Sequence, residues 1–149
     1  MQDKGPKSLG KAIIFRAGQR LWACELNKVK EIVRTTHITP LPNALKGVLG
    51  VINVRGEVLP VLYTWPGQKN KRLLSNELYK QKKTKTIILL KDNQNSIGIL
   101  VDEVKTLEEI HAYDLGEIKD ESLCVVYLSN SGQIPLVDGK LIIEHLKSN

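Results

Sequence analysis

Aromatic side chains are scarce in this chain: one Phe, two Trp and four Tyr among 149 residues. A core therefore has to be assembled from Ile, Leu and Val, residues that pack well on the pleated face of a strand. Apolar runs are short as well. None approaches the ~20 residues that a helix needs to cross a bilayer, so membrane insertion is not expected. The N-terminal stretch is polar, with Lys4, Lys7 and Lys11, and the apolar segment at 12–15 is too brief for the core of a secretory signal. A cytoplasmic location is the expectation.

Cysteine is equally sparse. Cys24 and Cys124 stand 100 residues apart, each in an apolar, strand-like run, and no CxxC spacing occurs. That pattern argues against a zinc knuckle or a redox pair and for buried structural thiols. The histidines His37, His111 and His145 share no HxH or HxxxH spacing, whereas zinc needs clustered nitrogen or sulfur donors. No GxSxG, GxxxxGK(S/T) or GxGxxG occurs either, which removes the nucleophile elbow, the phosphate-cradling loop and the dinucleotide turn. The neighbouring acids Asp102-Glu103 and Glu108-Glu109 fall in polar stretches and read as solvated surface. The expectation is a protein that binds other proteins, with no catalytic residues, no cofactor and no metal.

What the chain does have is 42% hydrophobic residues, enough for one compact domain or two very small barrels around a core. Its net charge of +6 is concentrated. Between positions 69 and 85 lie Lys69, Lys71, Arg72, Lys80, Lys82, Lys83 and Lys85 against the single acid Glu77, and the rest of the chain is neutral. A nucleic-acid binder more often spreads its bases over a whole face and interleaves aromatics for stacking. Only Tyr79 is present here, so a solvated loop is the first reading. A basic β-barrel module binding nucleic acid or an anionic membrane is the alternative.

Turn signals divide the chain into short strands. Positions 11–16 and 21–26 flank Ala17-Gly18-Gln19 and read as a hairpin. Asn27-Lys28 is a second turn, and 29–34 fits either a strand or a helical turn. Pro40 and Pro42 hold 38–43 extended, and 44–48 reads as a helical turn. Strands at 50–54 and 58–62 flank Arg55-Gly56-Glu57, where Gly56 can take positive φ. Positions 75–83 read as a loop with some helix, 85–91 and 96–101 as strands, and 107–115 as mixed. A last hairpin joins 123–128 to 134–137, and Asp138 is placed to cap a final helix.

A shift of 75 residues lays Ile13-Ile14-Phe15 on Ile88-Leu89-Leu90, Trp22-Ala23-Cys24 on Ile97-Gly98-Ile99, Asn27 on Asp102 and Val29 on Val104. Duplication accounts for these matches. Two related β units suggest two small barrels, because closure removes the exposed edges of short strands. The resulting division is an N-terminal tail at 1–11 and a domain at 12–149. Within that domain a first barrel-forming half runs over about 12–65, a basic connection over 66–84 and a second half over 85–149.

Two local features look functional. The apolar hairpin at 50–61 carries one Arg at its turn, and Val29-Lys30-Glu31-Ile32 sets a carboxylate among apolar residues. A Glu31–Arg55 pair would orient both side chains at a surface without burying a lone charge. A solvated turn arginine is the competing reading.

At these residues the chain resembles the CheW-like domain family. The family's V-x-E-I element is Val29-Lys30-Glu31-Ile32, and its I-x-x-(I/L)-P-N stretch is Ile38-Thr39-Pro40-Leu41-Pro42-Asn43. Its G-V-I-N-(L/V)-R-G-x-(V/I)-x-P-V motif runs from Gly50 over 50–61, and its G-(I/L)-(L/V)-V-D-x-V motif runs from Gly98 to Val104. The likeness covers about 12–128. It implies a mostly β fold of two small five-stranded SH3-like barrels sharing a core, with a few short helices including a C-terminal one. It also implies a non-catalytic adaptor of bacterial chemotaxis, coupling a CheA-type histidine kinase to the signalling tip of methyl-accepting chemoreceptors. A groove between the barrels would grip a receptor helix. By the same resemblance Val29, Glu31, Gly50 and Arg55 sit on or beside the partner surface, with Gly98 and Val104 in the equivalent region of the second barrel. A regulator of twitching or gliding motility fits the same pattern. The chain departs from the family at 62–66, where an Asp and an Arg are missing, and at Pro135, where an aliphatic is common. Proline cannot donate to a ladder, so the strand holding Pro135 is expected at an edge.

Overall fold

Strand β1 (Ser8–Ala17) reverses at Gly18-Gln19 into β2 (Arg20–Glu25), as the turn signal indicated. A turn of 3-10 helix at Leu26–Lys28 leads into β3 (Val29–Thr35), which is a strand and not a helical turn. Strands β4 (Val48–Val54) and β5 (Glu57–Leu62) form the next hairpin, and β6 (Lys85–Asp92) and β7 (Asn95–Val101) a third. Then come β8 (Glu103–His111), β9 (Leu115–Ile118), β10 (Leu123–Leu128) and β11 (Gly132–Pro135). Helix α1 (Gly139–Lys147) follows. Asp138 caps it through its carboxylate, which accepts the Lys140 amide at 2.9 Å. The structure is a computed structural model that describes residues 8–35, 37–43, 47–63, 84–92, 95–111, 115–118, 123–128 and 132–147. Of the expected helical turn at 44–48, positions 44–46 lie outside the described residues and Val48 already belongs to β4; the expected helix within 75–83 and most of the basic connection also lie outside them.

Hydrogen bonding crosses between the two halves of the chain. Strand β3 pairs with β6 and β8 pairs with β1, both antiparallel. Strand β5 lies parallel to β7. Leu136, just past β11, bridges Ala23 of β2 in the same parallel sense, and the Val137 amide donates to the Ala23 carbonyl at 2.7 Å. One five-stranded barrel is therefore β3-β6-β7-β5-β4, and the other joins β8, β1, β2, β11 and β10, with β9 on the far side of β10. Neither is confined to 12–65 or to 85–149. Strand β11 ends the hydrogen-bonded order β11-β10-β9, and its link to β2 is made at Leu136 and Val137, past Pro135.

The repeat persists in the strand registers. Ile13 opposes Cys24 and Leu107, and 75 residues further on Ile88 opposes Ile99 and Ile32. The irregularity that leaves Lys105 without a partner on β1 recurs at Lys30 against β6. The parallel contact of Val61 with Gly98 has its counterpart in Leu136 with Ala23. In each unit the third strand pairs with the first strand of the other unit. Bulges are designed features of a ladder, so a bulge repeated at the same offset identifies two copies of one β unit.

Alternation along β1 and β6 explains their unbroken apolar runs at 12–15 and 87–90. Ala12, Ile14 and Ala23 pack with Ile110 and Ile134 inside one barrel. Ile87, Leu89 and Val61 pack with Ile38, Ile52, Leu59 and Leu100 inside the other. The intervening side chains Ile13, Phe15, Ile88 and Leu90 point the other way. They meet Trp22, Cys24, Ile99, Ile142 and Ile143 in a shared core between the barrels. A strand buried on both faces reads as a continuous hydrophobic run, whereas one with a solvated face alternates. Strand β8 is the second kind, with exposed Lys105, Leu107 and Glu109. The mixed reading of 107–115 came from that polarity, and the segment is strand to His111.

Candidate functional site

The β4–β5 turn presents Arg55. Asn53 accepts the Gly56 amide on its side-chain oxygen at 2.8 Å, closing the turn as an Asx motif. Arg55 and Gly56 both take positive φ, 50° and 89°. That is the two-residue hairpin geometry in which Asn-Gly or Gly-Gly is the low-cost choice. An arginine there adopts a conformation that its Cβ disfavours, and strained positions of this sort cluster at functional sites.

Glu31 of β3 holds that arginine. Nη1 of Arg55 donates to Oε2 of Glu31 at 3.3 Å, and Nη2 meets Oε1 in the second arm of a two-pronged pair. Of the two readings of the sequence, the ion pair is the one the structure contains. Hydrogen bonding from Arg55, with its positive charge adding to it, holds the Glu31 carboxyl below the ordinary carboxylate range. The guanidinium is shifted upward by the same contact. Both ions are thus present at neutral pH. Beside them Lys30, the bulge residue of β3, reaches Glu57 at 2.8 Å. Two charge pairs therefore pin the tip of the β4–β5 hairpin to β3. Ile32 and Val58, next in the chain to Glu31 and Glu57, are exposed. The turn thus presents a fixed, planar cation, a group enriched where proteins meet.

The remaining sequence-derived residues lie deeper. Val29 and Val104, equivalent under the repeat, are half-buried against the shared core. Gly50 is buried in β4, where a Cβ would stand 2.2 Å from the carbonyl oxygen of Thr39. Its absence lets Thr39 and Val51 exchange two backbone hydrogen bonds at 2.9 and 2.8 Å. Gly98 is buried in β7, and a Cβ there would come 2.7 Å from Cγ2 of Ile87. The structure thus brings Glu31 and Arg55 together at the surface and sets Val29 and Val104 at the rim of the seam. It places both glycines in the interior, where they shape the barrels. A shared core of buried side chains lies between the barrels.

The sequence suggests a solvated acid at Asp102, but its role is structural. It accepts the Gly18 amide at 3.2 Å and faces Nη1 of Arg16 at 3.5 Å, while its own amide donates to the Arg16 carbonyl at 2.9 Å. It ties the β1–β2 turn to the β7–β8 corner. Cys24 is fully buried, and burial, aided by the charge of Glu25, pushes its thiol up to about 12. Among the described residues no group of three or more His, Cys, Asp or Glu side chains is disposed to hold a metal, and no helix is long and apolar enough to cross a membrane.

The CheW-like domain model matches residues 11–144. Among curated proteins, the chain is 27% identical to the chemotaxis protein CheW of Thermotoga maritima, over 87% of this chain and 79% of that one. It is 31% identical to the chemotaxis protein CheW of Rhizobium meliloti, over 72% and 66%, and 30% identical to protein PilI of Pseudomonas aeruginosa, over 60% and 47%. Among solved structures it is similar to the scaffolding protein TtCheW of Thermoanaerobacter tengcongensis. The TM-score is 0.68 at 17% identity, covering 93% of this chain and 90% of that one.

Proposed function

The chain belongs to the CheW-like domain family, and from that membership we propose that it is a non-catalytic adaptor of chemotaxis signalling that couples a CheA-type histidine kinase to the signalling tip of chemoreceptors. It acts in the cytoplasm, beside membrane receptor arrays. The observation that supports this reading most is Arg55. It occupies a turn position that favours Asn or Gly, it is exposed, and a carboxylate from a different strand fixes its guanidinium. The ion pair with Glu31 fastens the hairpin, and it leaves the exposed guanidinium able to meet a partner's carboxylate or carbonyls. Glu31 and Arg55 form the centre of the proposed contact. Val29 and Val104 contribute the apolar rim, and Gly50 and Gly98 set the backbone spacing beneath it.

A pull-down from the native host tests the proposal. The tagged wild-type chain is expected to retain a histidine kinase or a receptor. Arg55→Ala is expected to lower that retention by about tenfold, the loss typical of a central interface residue, with an unchanged circular dichroism spectrum. Retention of neither partner by the wild type would sink the adaptor reading. Unchanged retention by Arg55→Ala would sink the site. Glu31→Arg combined with Arg55→Glu separates the pair's two roles: recovery of binding lost in either single variant means that the pair acts by orienting its members, and no recovery means that the sign of the charge at position 55 is what the partner reads.

A further inference from the structure

The contacts that close each barrel, apart from its hairpins, join residues 8–62 to residues 85–147. They are β3 with β6, β1 with β8, β5 with β7, and β2 with Leu136. The shared core has the same character, with Phe15 and Trp22 from the first half against Ile88, Leu90 and Ile142 from the second. A half without its counterpart would expose open strand edges and that whole apolar face. The covalent link between the halves is the connection between β5 and β6.

That connection is much longer than its task. Leu62 lies beside Ile99 of β7, and Thr86 lies beside Val101 of the same strand. The end of β5 and the start of β6 therefore flank β7 at one end of the sheet, two strand spacings apart across it and about three residues apart along it, roughly 14 Å in all. Four or five extended residues reach that far, and residues 63–84 provide 22.

We propose that two copies of this chain can trade halves, forming an intertwined dimer in which each barrel is assembled from residues 8–62 of one copy and 85–147 of the other. The contacts are the same as in the closed monomer, so the balance depends on concentration alone. A connection of this many residues holds its own half at an effective concentration on the order of 1 mM. Closed monomers dominate by roughly a hundredfold at 10 µM, and the exchanged form becomes comparable near 1 mM. Glu31 and Arg55 both belong to the first half, so their pair survives the exchange and the dimer presents it twice. Exchange at hinge connections is a low-cost route to dimers. The two halves of this chain already practise it within one molecule.

The test uses two full-length copies with different affinity tags, unfolded together and refolded either at about 10 µM or at about 1 mM. Sequential capture of both tags after dilution reads the mixed dimer. The expected yield rises from on the order of 1% to tens of per cent, and copies mixed after folding give none. Absence of mixed species at 1 mM overturns the proposal. A second variant joins Leu62 to Lys85 through two residues, which extend to at most about 11 Å and cannot bridge roughly 14 Å. Light scattering is expected to find it dimeric, and a folded monomer would equally overturn the proposal. If that variant is insoluble, the tagged copies decide.

Discussion

Arg55 combines backbone strain with an ion pair, and the two can be separated. Asn tolerates the φ of 50° that Arg55 adopts, so Arg55→Asn is expected to raise the melting temperature by a few degrees while lowering partner retention. A loss of both would show that the pair with Glu31 supports the fold itself. The pH dependence has a definite sign. Arg55 lowers the Glu31 pKa, so the contribution of the pair is present above the ordinary carboxylate value of ~4.3 and is lost only as pH falls through the lowered one. Partner retention is therefore expected to be flat from pH 8 to pH 5 as far as this pair governs it. A carboxyl carbon NMR titration should place Glu31 below ~4.3 in the wild type and nearer to it in Arg55→Ala. Gly50 gives a prediction of the opposite kind. Gly50→Ala drives a Cβ into the Thr39 carbonyl, and a backbone atom cannot rotate away. Overpacking of this kind costs about 1–3 kcal/mol, to be measured by urea denaturation. Cys24 is expected to stay protonated and inert to alkylation in the native state well above pH 9, because burial pushes its pKa to about 12. In a Cys124→Ser background, an absorbance titration that showed thiolate below pH 9 would contradict that burial.

Among the elements, β6 and β8 show what a strand's surroundings do to its sequence. Strand β6 contributes Ile87 and Leu89 to one barrel interior and Ile88 and Leu90 to the shared core, so its apolar run was legible. Strand β8 places Lys105, Leu107 and Glu109 outward and carries a bulge that breaks its alternation, so no period identified it. Its identity comes from its place as the copy of β3. The helix was legible for a different reason: Asp138 is a local cap whose bond to the Lys140 amide needs no distant contact. Asp138→Ala is expected to cost about 1 kcal/mol, measured by thermal denaturation. A loss of several times that would mean that its contact with Lys28 at 3.8 Å, which joins the helix start to the segment before β3, matters more than the cap.

At the scale of the whole molecule, the exchange of third strands turns two marginal β units into one cooperative object. Neither unit has a closed sheet of its own, and the core between them is the largest continuous apolar cluster described. Unfolding is expected to be a single transition, because opening one barrel takes a strand from the other. A calorimetric trace with two resolved transitions would contradict that coupling. The arrangement also gives the proposed adaptor a rigid frame. The Glu31–Arg55 patch stands on β3 and the β4–β5 hairpin, both members of the barrel that β6 and β7 complete.

The sequence by itself determined the existence of most strands, the turns at 17–19 and 55–57, the helix cap, the duplication and the family, because each rests on local periodicity, turn chemistry or a short motif. It also raised the Glu31–Arg55 pair, though not which of two readings held. Tertiary structure alone decided that the units trade their third strands, that β8 is a strand, that Asp102 ties two corners together, and that Gly50 and Gly98 are interior. The physical reason is common to all four. They depend on which backbone lies alongside which, over separations of tens of residues, and a pattern read along one chain records the faces that are buried but not the neighbours that bury them.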